Sequence, residues 1–270
     1  MIKNWVLPYL YVPQRGKKLS KSALLNVVEA IFYRLKTGCH RVAWRWRELP
    51  IKQFFDTAYT WHGVYHHFST WCAKGCWQKI WVNMLKLHTR YLDMSCIGID
   101  GSHSRSKMGG EKTGYQGRKS AKTTNMLYLV DNQGIIVGMG LPESGNHHDL
   151  FEIEERFDEL LDMLKDADIP LKGLFLNADA GFDCNNFRKI CETHDIIPNI
   201  AFNSAHGKLT EREEYFDAEL YKRRAFTEHP FAWMDAFKAL LVRYETKANH
   251  WYNLNIMGAL LIFSRKIAHF

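Results

Sequence analysis

Three carboxylates in this chain are placed where chemistry on a phosphate could be done. Asp100 closes the apolar run Cys96-Ile97-Gly98-Ile99. Asp179 closes Leu174-Phe175-Leu176-Asn177-Ala178. Glu228 follows the basic stretch Tyr221-Lys222-Arg223-Arg224. An acid just past a buried strand is held rigidly at a sheet edge, within reach of a hard divalent cation. Mg²⁺ takes carboxylate oxygens and keeps waters and substrate phosphates as its other ligands. Asp100, Asp179 and Glu228 are therefore read as one Mg²⁺ site, with Mn²⁺ as a substitute. Two such cations about 4 Å apart activate a water or a 3′-hydroxyl and stabilise the leaving oxygen of an in-line phosphoryl transfer. Each acid also has a plainer reading, because Asp at a strand end forms turns and caps helices. Asp183, for example, is expected to cap the helix after it.

The elements that must position these acids can be read from spacing. Residues 1–19 read as an extended arm with two prolines. Ser20 or Ser22 caps a helix to about Thr37, and Gly38 ends it. Trp44 to Pro50 reads as a turn region, Phe54 to Ala73 as a second helix stopped by Gly75, and Trp77 to Arg90 as a third. Trp61, Trp71, Trp77 and Trp81 are expected to build the core of this helical unit, which has helix–turn–helix character. The body starts near Met94, with a buried strand Cys96–Asp100. Residues 103–123 carry Arg105, Lys107, Lys112, Arg118, Lys119 and Lys122 against Glu111 alone, with four glycines. They read as a flexible cationic loop that touches phosphate. Asn125–Val130 and Ile135–Met139 read as a hairpin through Asp131-Asn132-Gln133-Gly134. Asp149–Asp168 reads as an acidic amphipathic helix, Leu174–Ala178 as a strand, Asn185–His194 as a helix and Ile196–Phe202 as a strand. Residues 211–246 read as mostly helical, and Trp251–Phe263 as an apolar helix docked on the body. Three sequential strands followed by strand–helix alternation predict a mixed sheet with helices on both faces.

The bulk composition agrees with a globular chain that meets a polyanion. Of 270 residues, 46% are hydrophobic, ample for a packed core. Residues 1–95 carry 15 Lys and Arg against 4 Asp and Glu, and the other 175 carry 21 against 25. The net positive balance thus lies in the first third, where counterion release makes nucleic acid the natural partner. No run of about 18 apolar residues suggests a membrane span, and the N-terminus does not read as a signal peptide. The expected location is the cytoplasm, on the nucleoid. Cys72 and Cys76 lie four apart with no second Cys or His pair at zinc-ligand spacing. The six cysteines are read as reduced, packing as small apolar groups.

Several motifs, in order, resemble those of bacterial insertion-sequence transposases of the DDE type, closest to the IS-five group. They cover about residues 35 to 263. Gly38, Trp46-Arg47-Glu48-Leu49-Pro50, Trp71 and Gly75-Cys76-Trp77 resemble the family's N-terminal unit. Ile99-Asp100-Gly101-Ser102 resembles its first acid motif, and Gly117 to Thr124 its basic glycine-containing stretch. Pro142 to Asp149 resembles its proline–glycine–x–x–histidine–aspartate turn. Asp179-Ala180-Gly181-Phe182-Asp183 resembles its second acid motif, and Tyr221, Arg224 and Glu228 match its tyrosine–x2–arginine–x3–glutamate signature. The resemblance implies an α/β fold: a ribonuclease-H-like mixed sheet with flanking helices, preceded by a small helical DNA-binding unit. The units are residues 1–93, helix-turn-helix-like and DNA-binding, and 94–270, the catalytic domain.

It also implies Mg²⁺-dependent cut-and-paste transposition. The partners are double-stranded DNA, as terminal inverted repeats and target, and a second copy in the DNA complex, with no membrane. Asp100, Asp179 and Glu228 are the catalytic metal ligands. Arg105, Lys107, Arg118, Lys119, Lys122, Tyr221, Arg224 and Lys238 are the DNA-contacting residues. One position departs from the signature: Asp235 occupies the site of a lysine seven residues past the glutamate, with Lys238 a turn further on. That departure leaves open a DNA-binding regulator derived from a transposase. A nuclease that cuts without joining would use the same acids.

Overall fold

The computed structural model describes residues 2–15, 18–38, 46–56, 59–203 and 215–268. The chain opens with a short helix α1 (Ile2–Val6) and a 3-10 turn, Leu7–Tyr9, where an extended arm was expected. Val6 and Leu10 are buried, and that burial folds the segment onto the neighbouring helices. Helix α2 (Lys21–Thr37) has the bounds its caps dictate. Ser20 accepts a bond from Ala23 N–H at 3.2 Å, and Gly38 ends the helix at φ 66°. Helix α3 (Trp61–Ala73) begins seven residues later than expected, because Thr60 caps it through Gly63 N–H. Ile51–Gln53 form a 3-10 turn instead. Two residues, Lys74 and Gly75, link α3 to α4 (Cys76–Leu87). Trp71, Trp77 and Trp81 are fully buried and Trp61 is half-buried, while Cys72 and Cys76 pack in the same core. Of the expected turn region, Trp44 and Arg45 lie outside the described residues.

The body is built on strands β1 (Cys96–Ser106), β2 (Gly114–Gln116), β3 (Ala121–Asp131), β4 (Ile136–Met139) and β5 (Glu143–Ser144). Helix α5 (Ile153–Asp166), β6 (Phe175–Ala178), α6 (Asn185–Thr193) and β7 (Ile197–Ile200) follow. Then come α7 (Ala218–Tyr221), a 3-10 stretch Lys222–Thr227, α8 (His229–Asp235), α9 (Lys238–Leu241), β8 (Val242–Arg243) and α10 (Ala248–Ala268). In the sheet, β4 and β3 are antiparallel neighbours, β3 and β1 are antiparallel, and β1–β6–β7 are parallel. The mixed sheet thus matches the expectation, with β2 and β5 extending β3 and β8 extending β1.

The expected cationic loop is corrected. β1 continues six residues past Asp100 and pairs with β3 from Ile97↔Asp131 to Arg105↔Thr123. Ser102, His103 and Ser104 give no apolar alternation; the backbone ladder to β3, not side-chain burial, holds this half of the strand. Three other expectations shift. The acidic helix starts at Ile153, not Asp149. Residues 211–246, as far as they are described, form short helical pieces rather than one helix. Asp183 does not cap α6: Cys184 does, and Asp183 forms a buried ion pair with Arg188 at 2.8 Å.

Helix α10 binds the two ends of the chain together. It is buried on every side from His250 to Leu260, packing on α2, α3 and α4 and also on α8 and α9. Tyr128 of β3 donates to Asn255 Oδ1 of this helix at 3.0 Å. Just before α10, buried Glu245 pairs with Arg34 of α2, whose guanidinium also lies over the Trp46 ring. One hydrophobic core therefore runs from the N-terminal helices into the sheet.

Candidate functional site

Strand register brings the first two acids together. β1 pairs in parallel with β6 through Ile97↔Leu176 and Gly98↔Asn177. Two residues beyond that last pair come Asp100, still in β1, and Asp179, one residue past β6, and extending the register sets them opposite one another on the same face. Asp100 is the fifth residue of an eleven-residue strand rather than its end. On the β6 side, however, it lies past the last pair, so the opening at this edge is real. Asp100 Oδ1 accepts from Gly101 N–H at 2.8 Å. Asp179 Oδ1 caps the turn after β6, accepting from Gly181 N–H at 2.9 Å.

The face that carries both acids is covered by the segment bearing Glu228. Asn177 and Asn199, paired in register on β6 and β7, are both buried. Asn177 Nδ2 donates to Leu220 O at 3.0 Å; Asn199 Nδ2 donates to Asn177 Oδ1 at 2.7 Å and Asp217 O at 3.1 Å. These bonds anchor the start of α7. Downstream, Thr227 packs on the bare Cα of Gly98, where a Cβ would fall 2.1 Å from Thr227 Cγ2. Thr227 is buried and its hydroxyl is committed to Arg224 O at 2.7 Å, so it cannot swing aside. We expect Gly98→Ala to cost about 1–3 kcal/mol of stability through overpacking, read by urea denaturation. An unchanged midpoint would mean the segment does not sit on this strand.

Arg224 joins the acids across the gap. Its Nη2 lies 3.5 Å from Asp179 Oδ2 and its Nη1 4.0 Å from Glu228 Oε1. The Glu228 side chain is 72% exposed and that of Asp179 41%, whereas Asp100 is sheltered. Burial pushes the Asp100 carboxyl up to about 6; the Gly101 N–H and Arg224 oppose this, and the charges of Asp179 and Asp149 add to it. Tyr221 lies beside the same group, its phenol raised first by burial, lowered by Arg224 and raised by Asp179. As placed, no group of three His, Cys, Asp or Glu among the described residues is close enough to hold a metal ion. The donor chemistry nevertheless fits Mg²⁺, which needs only one or two carboxylates beside its waters. Asp100 and Asp179 supply these, with Glu228 on the far side of Arg224.

The expected DNA-contacting residues fall at two places. Arg105, Lys107, Arg118, Lys119 and Lys122 are exposed on the outer end of the β1–β2–β3 ribbon. Arg105 donates to Lys119 O at 3.3 Å, and Lys119 Nζ donates to His103 O at 2.5 Å. Tyr221 and Arg224 lie at the acids, and Lys238 is exposed at the start of α9. Asp235 acts electrostatically on Lys119 of the basic ribbon. Desolvation raises its carboxyl and Lys119 lowers it. His148 Nδ1 accepts from Leu150 N–H at 3.1 Å and His147 packs on Phe151, which are local capping and packing roles. Sequence reading missed Gly98, Asn177, Asn199 and Thr227, and gave Asp149 a place in a motif but no role. The signal for Gly98 and Asn177 was their spacing, each two residues before an acid on the same strand face.

Comparison with known proteins supplies the context. The family model "Transposase DDE domain" matches residues 84–262, and "Putative transposase of IS4/5 family" matches residues 4–81. No curated protein sequence matches. Among solved structures, a piggyBac transposase synaptic complex with hairpin DNA is 8% identical at TM-score 0.52, over 99% of this chain and 73% of that one. A Mos1 transposase paired-end complex with the left transposon end is 10% identical at TM-score 0.30, over 95% and 81%. Among the described residues no helix is long and apolar enough to cross a membrane. The strand order β4-β3-β1-β6-β7, with helices preceding the sheet, is the ribonuclease-H-like arrangement the motifs implied. With two thirds of its length matched to the DDE domain and its first third to the IS4/5 type, the chain belongs to the DDE transposase family.

Proposed function

We propose that this protein catalyses cut-and-paste DNA transposition by Mg²⁺-dependent phosphoryl transfer at the ends of its element. The observation that supports the reading is the register opposition of Asp100 and Asp179, with Arg224 linking Asp179 to Glu228. Asp100, Asp179 and Glu228 would hold two divalent cations, Mg²⁺ or Mn²⁺. Such ions, when bound, activate the attacking oxygen and offset charge on the leaving oxygen. The chain's own residues do the positioning. The Asn177–Asn199 pair and the Gly98–Thr227 contact hold the Glu228 segment on the sheet. Arg224 offsets carboxylate charge, and Tyr221 orients Arg224 or the DNA backbone. Arg105, Lys107, Arg118, Lys119, Lys122 and Lys238 bind phosphates, which carries no sequence information. The helical unit of residues 1–93 reads terminal inverted repeats ahead of the catalytic domain, 94–270. Because two ends must be paired, two copies act together on double-stranded DNA, at the nucleoid.

The test supplies purified protein with Mg²⁺ and a DNA carrying its own element's ends. Nicking that leaves 3′-hydroxyls, followed by their joining to target DNA, supports the reading. Cutting without joining indicates a nuclease. Binding with no cutting in Mg²⁺ or Mn²⁺ indicates a regulator.

Acidity gives a second check. Asp100 binds its proton more tightly folded than unfolded, so its ionisation costs the metal-free fold stability as pH rises from about 4 through about 6. A cation that binds the ionised carboxylate offsets this cost above that range. Mn²⁺ is therefore expected to raise the thermal midpoint at about pH 7.5 and to do little at about pH 5. Equal shifts at both would remove Asp100 from the ligand set.

A further inference from the structure

Asp149 stands against the strand that carries Asp100, and no role above uses it. It lies in the turn between β5 and α5. Its Oδ1 accepts from Asn125 Nδ2 at 2.7 Å, and Asn125 is the β3 residue paired with His103 of β1. Its carbonyl accepts from Arg156 Nη1 at 3.2 Å, and that nitrogen also donates to Phe151 O at 3.3 Å. Asn125 and Arg156 are buried, at 0% and 5% exposure. The carboxylate is thus clamped from the sheet and its backbone from the helix.

The clamped group rests on Gly101. A Cβ at Gly101 would fall 2.1 Å from Asp149 Oδ1 and 2.6 Å from its Cγ, so only glycine fits there while Asp149 is in place. The Gly101 N–H, in turn, holds Asp100 Oδ1. We propose that Asp149 is a positioning residue of the catalytic centre: held by Asn125 and Arg156, it seats the Gly101 peptide whose N–H orients the Asp100 carboxylate. This rests on the reading of Asp100 as a metal ligand. With one lone pair of Oδ1 taken by Gly101, Oδ2 is the freer oxygen for a cation, and its direction follows that of the peptide. Residues that orient a metal ligand are worth about 10–100-fold in metal affinity.

The test is calorimetric titration of Mn²⁺ into the full chain without DNA. Asp149→Ala is expected to weaken binding about 10-fold. Asp149→Asn, which keeps the shape and the acceptor oxygen, restores most of what Asp149→Ala loses. Gly101→Ala also weakens binding, because its methyl displaces Asp149. In the double variant Gly101→Ala/Asp149→Ala the overlap is gone, so the loss equals that of Asp149→Ala alone instead of the product of the two. Should Asp149→Ala fail to fold, Asn125→Ala loosens the same clamp and is read by the same affinity. Unchanged Mn²⁺ affinity in these variants, or single effects that multiply, overturns the positioning role. Mn²⁺ binding that survives Asp100→Asn overturns the metal-site reading instead.

Discussion

Asp100→Asn, Asp179→Asn and Glu228→Gln are each expected to lower DNA strand cleavage by about 10³-fold or more, the scale of removing a group that stabilises transition-state charge. All three lose an anionic oxygen that a hard cation requires, while shape and hydrogen-bonding capacity are nearly kept. The three differ in what they do to the fold. Asp100 is sheltered and its carboxyl is held up at about 6 by burial, so the neutral amide removes a strained charge and the thermal midpoint at neutral pH should not fall. Asp179 caps the turn after β6 and touches Arg224, so its amide should cost a little stability. Glu228 is largely exposed, and its amide should be neutral. Cleavage assayed with Mg²⁺ and with Mn²⁺, beside thermal melts, separates a chemical loss from an unfolding loss. Activity surviving all three substitutions would show that the chemistry lies elsewhere.

The second large effect is on stability. Arg34→Met is expected to destabilise the protein by about 3 kcal/mol, because buried Glu245 loses its direct ion-pair partner and keeps only His250 Nδ1 at 3.9 Å and the charge of Arg243 nearby. The two residues lie 211 positions apart and join α2 to the segment before α10. Pairing them closes a loop of that length and ties α2 to the segment from which α10 starts. The same change with Glu245→Leu should cost much less than the sum of the single losses, since both charges are then gone. Urea denaturation reads both, and single effects that simply add would show that the pair is not coupled.

How much of this was legible in the sequence follows from what each residue's neighbours are. The chemistry-bearing acids, their order, and the register of Tyr221, Arg224 and Glu228 are local facts. So are the caps of α2: Ser20 and Gly38 act on backbone groups within four residues, and the helix took the bounds they dictate. The strands around Asp100 and Asp179 were visible because buried strands in a parallel sheet are runs of apolar residues.

The outer half of β1 was not legible. Its polar residues are held by the backbone ladder to β3, which leaves no trace in side-chain type, and the stretch therefore read as a loop. Helix α3 was read too long for a related reason, since a cap at Thr60 outweighs an apolar pattern that begins before it. What tertiary structure alone decided is which distant groups share the site. Asn177 and Asn199 hold the segment of Glu228, Thr227 needs the missing side chain of Gly98, and Asp149 needs that of Gly101. Asp235 faces Lys119 across more than a hundred residues. Each is a contact between surfaces that meet only after the strands pair, and charge or size at one position says nothing about the other until they do. The sequence by itself therefore determined which groups could do the chemistry; the pairing of β1 with β6 and the docking of the 217–228 segment decided which of them stand together.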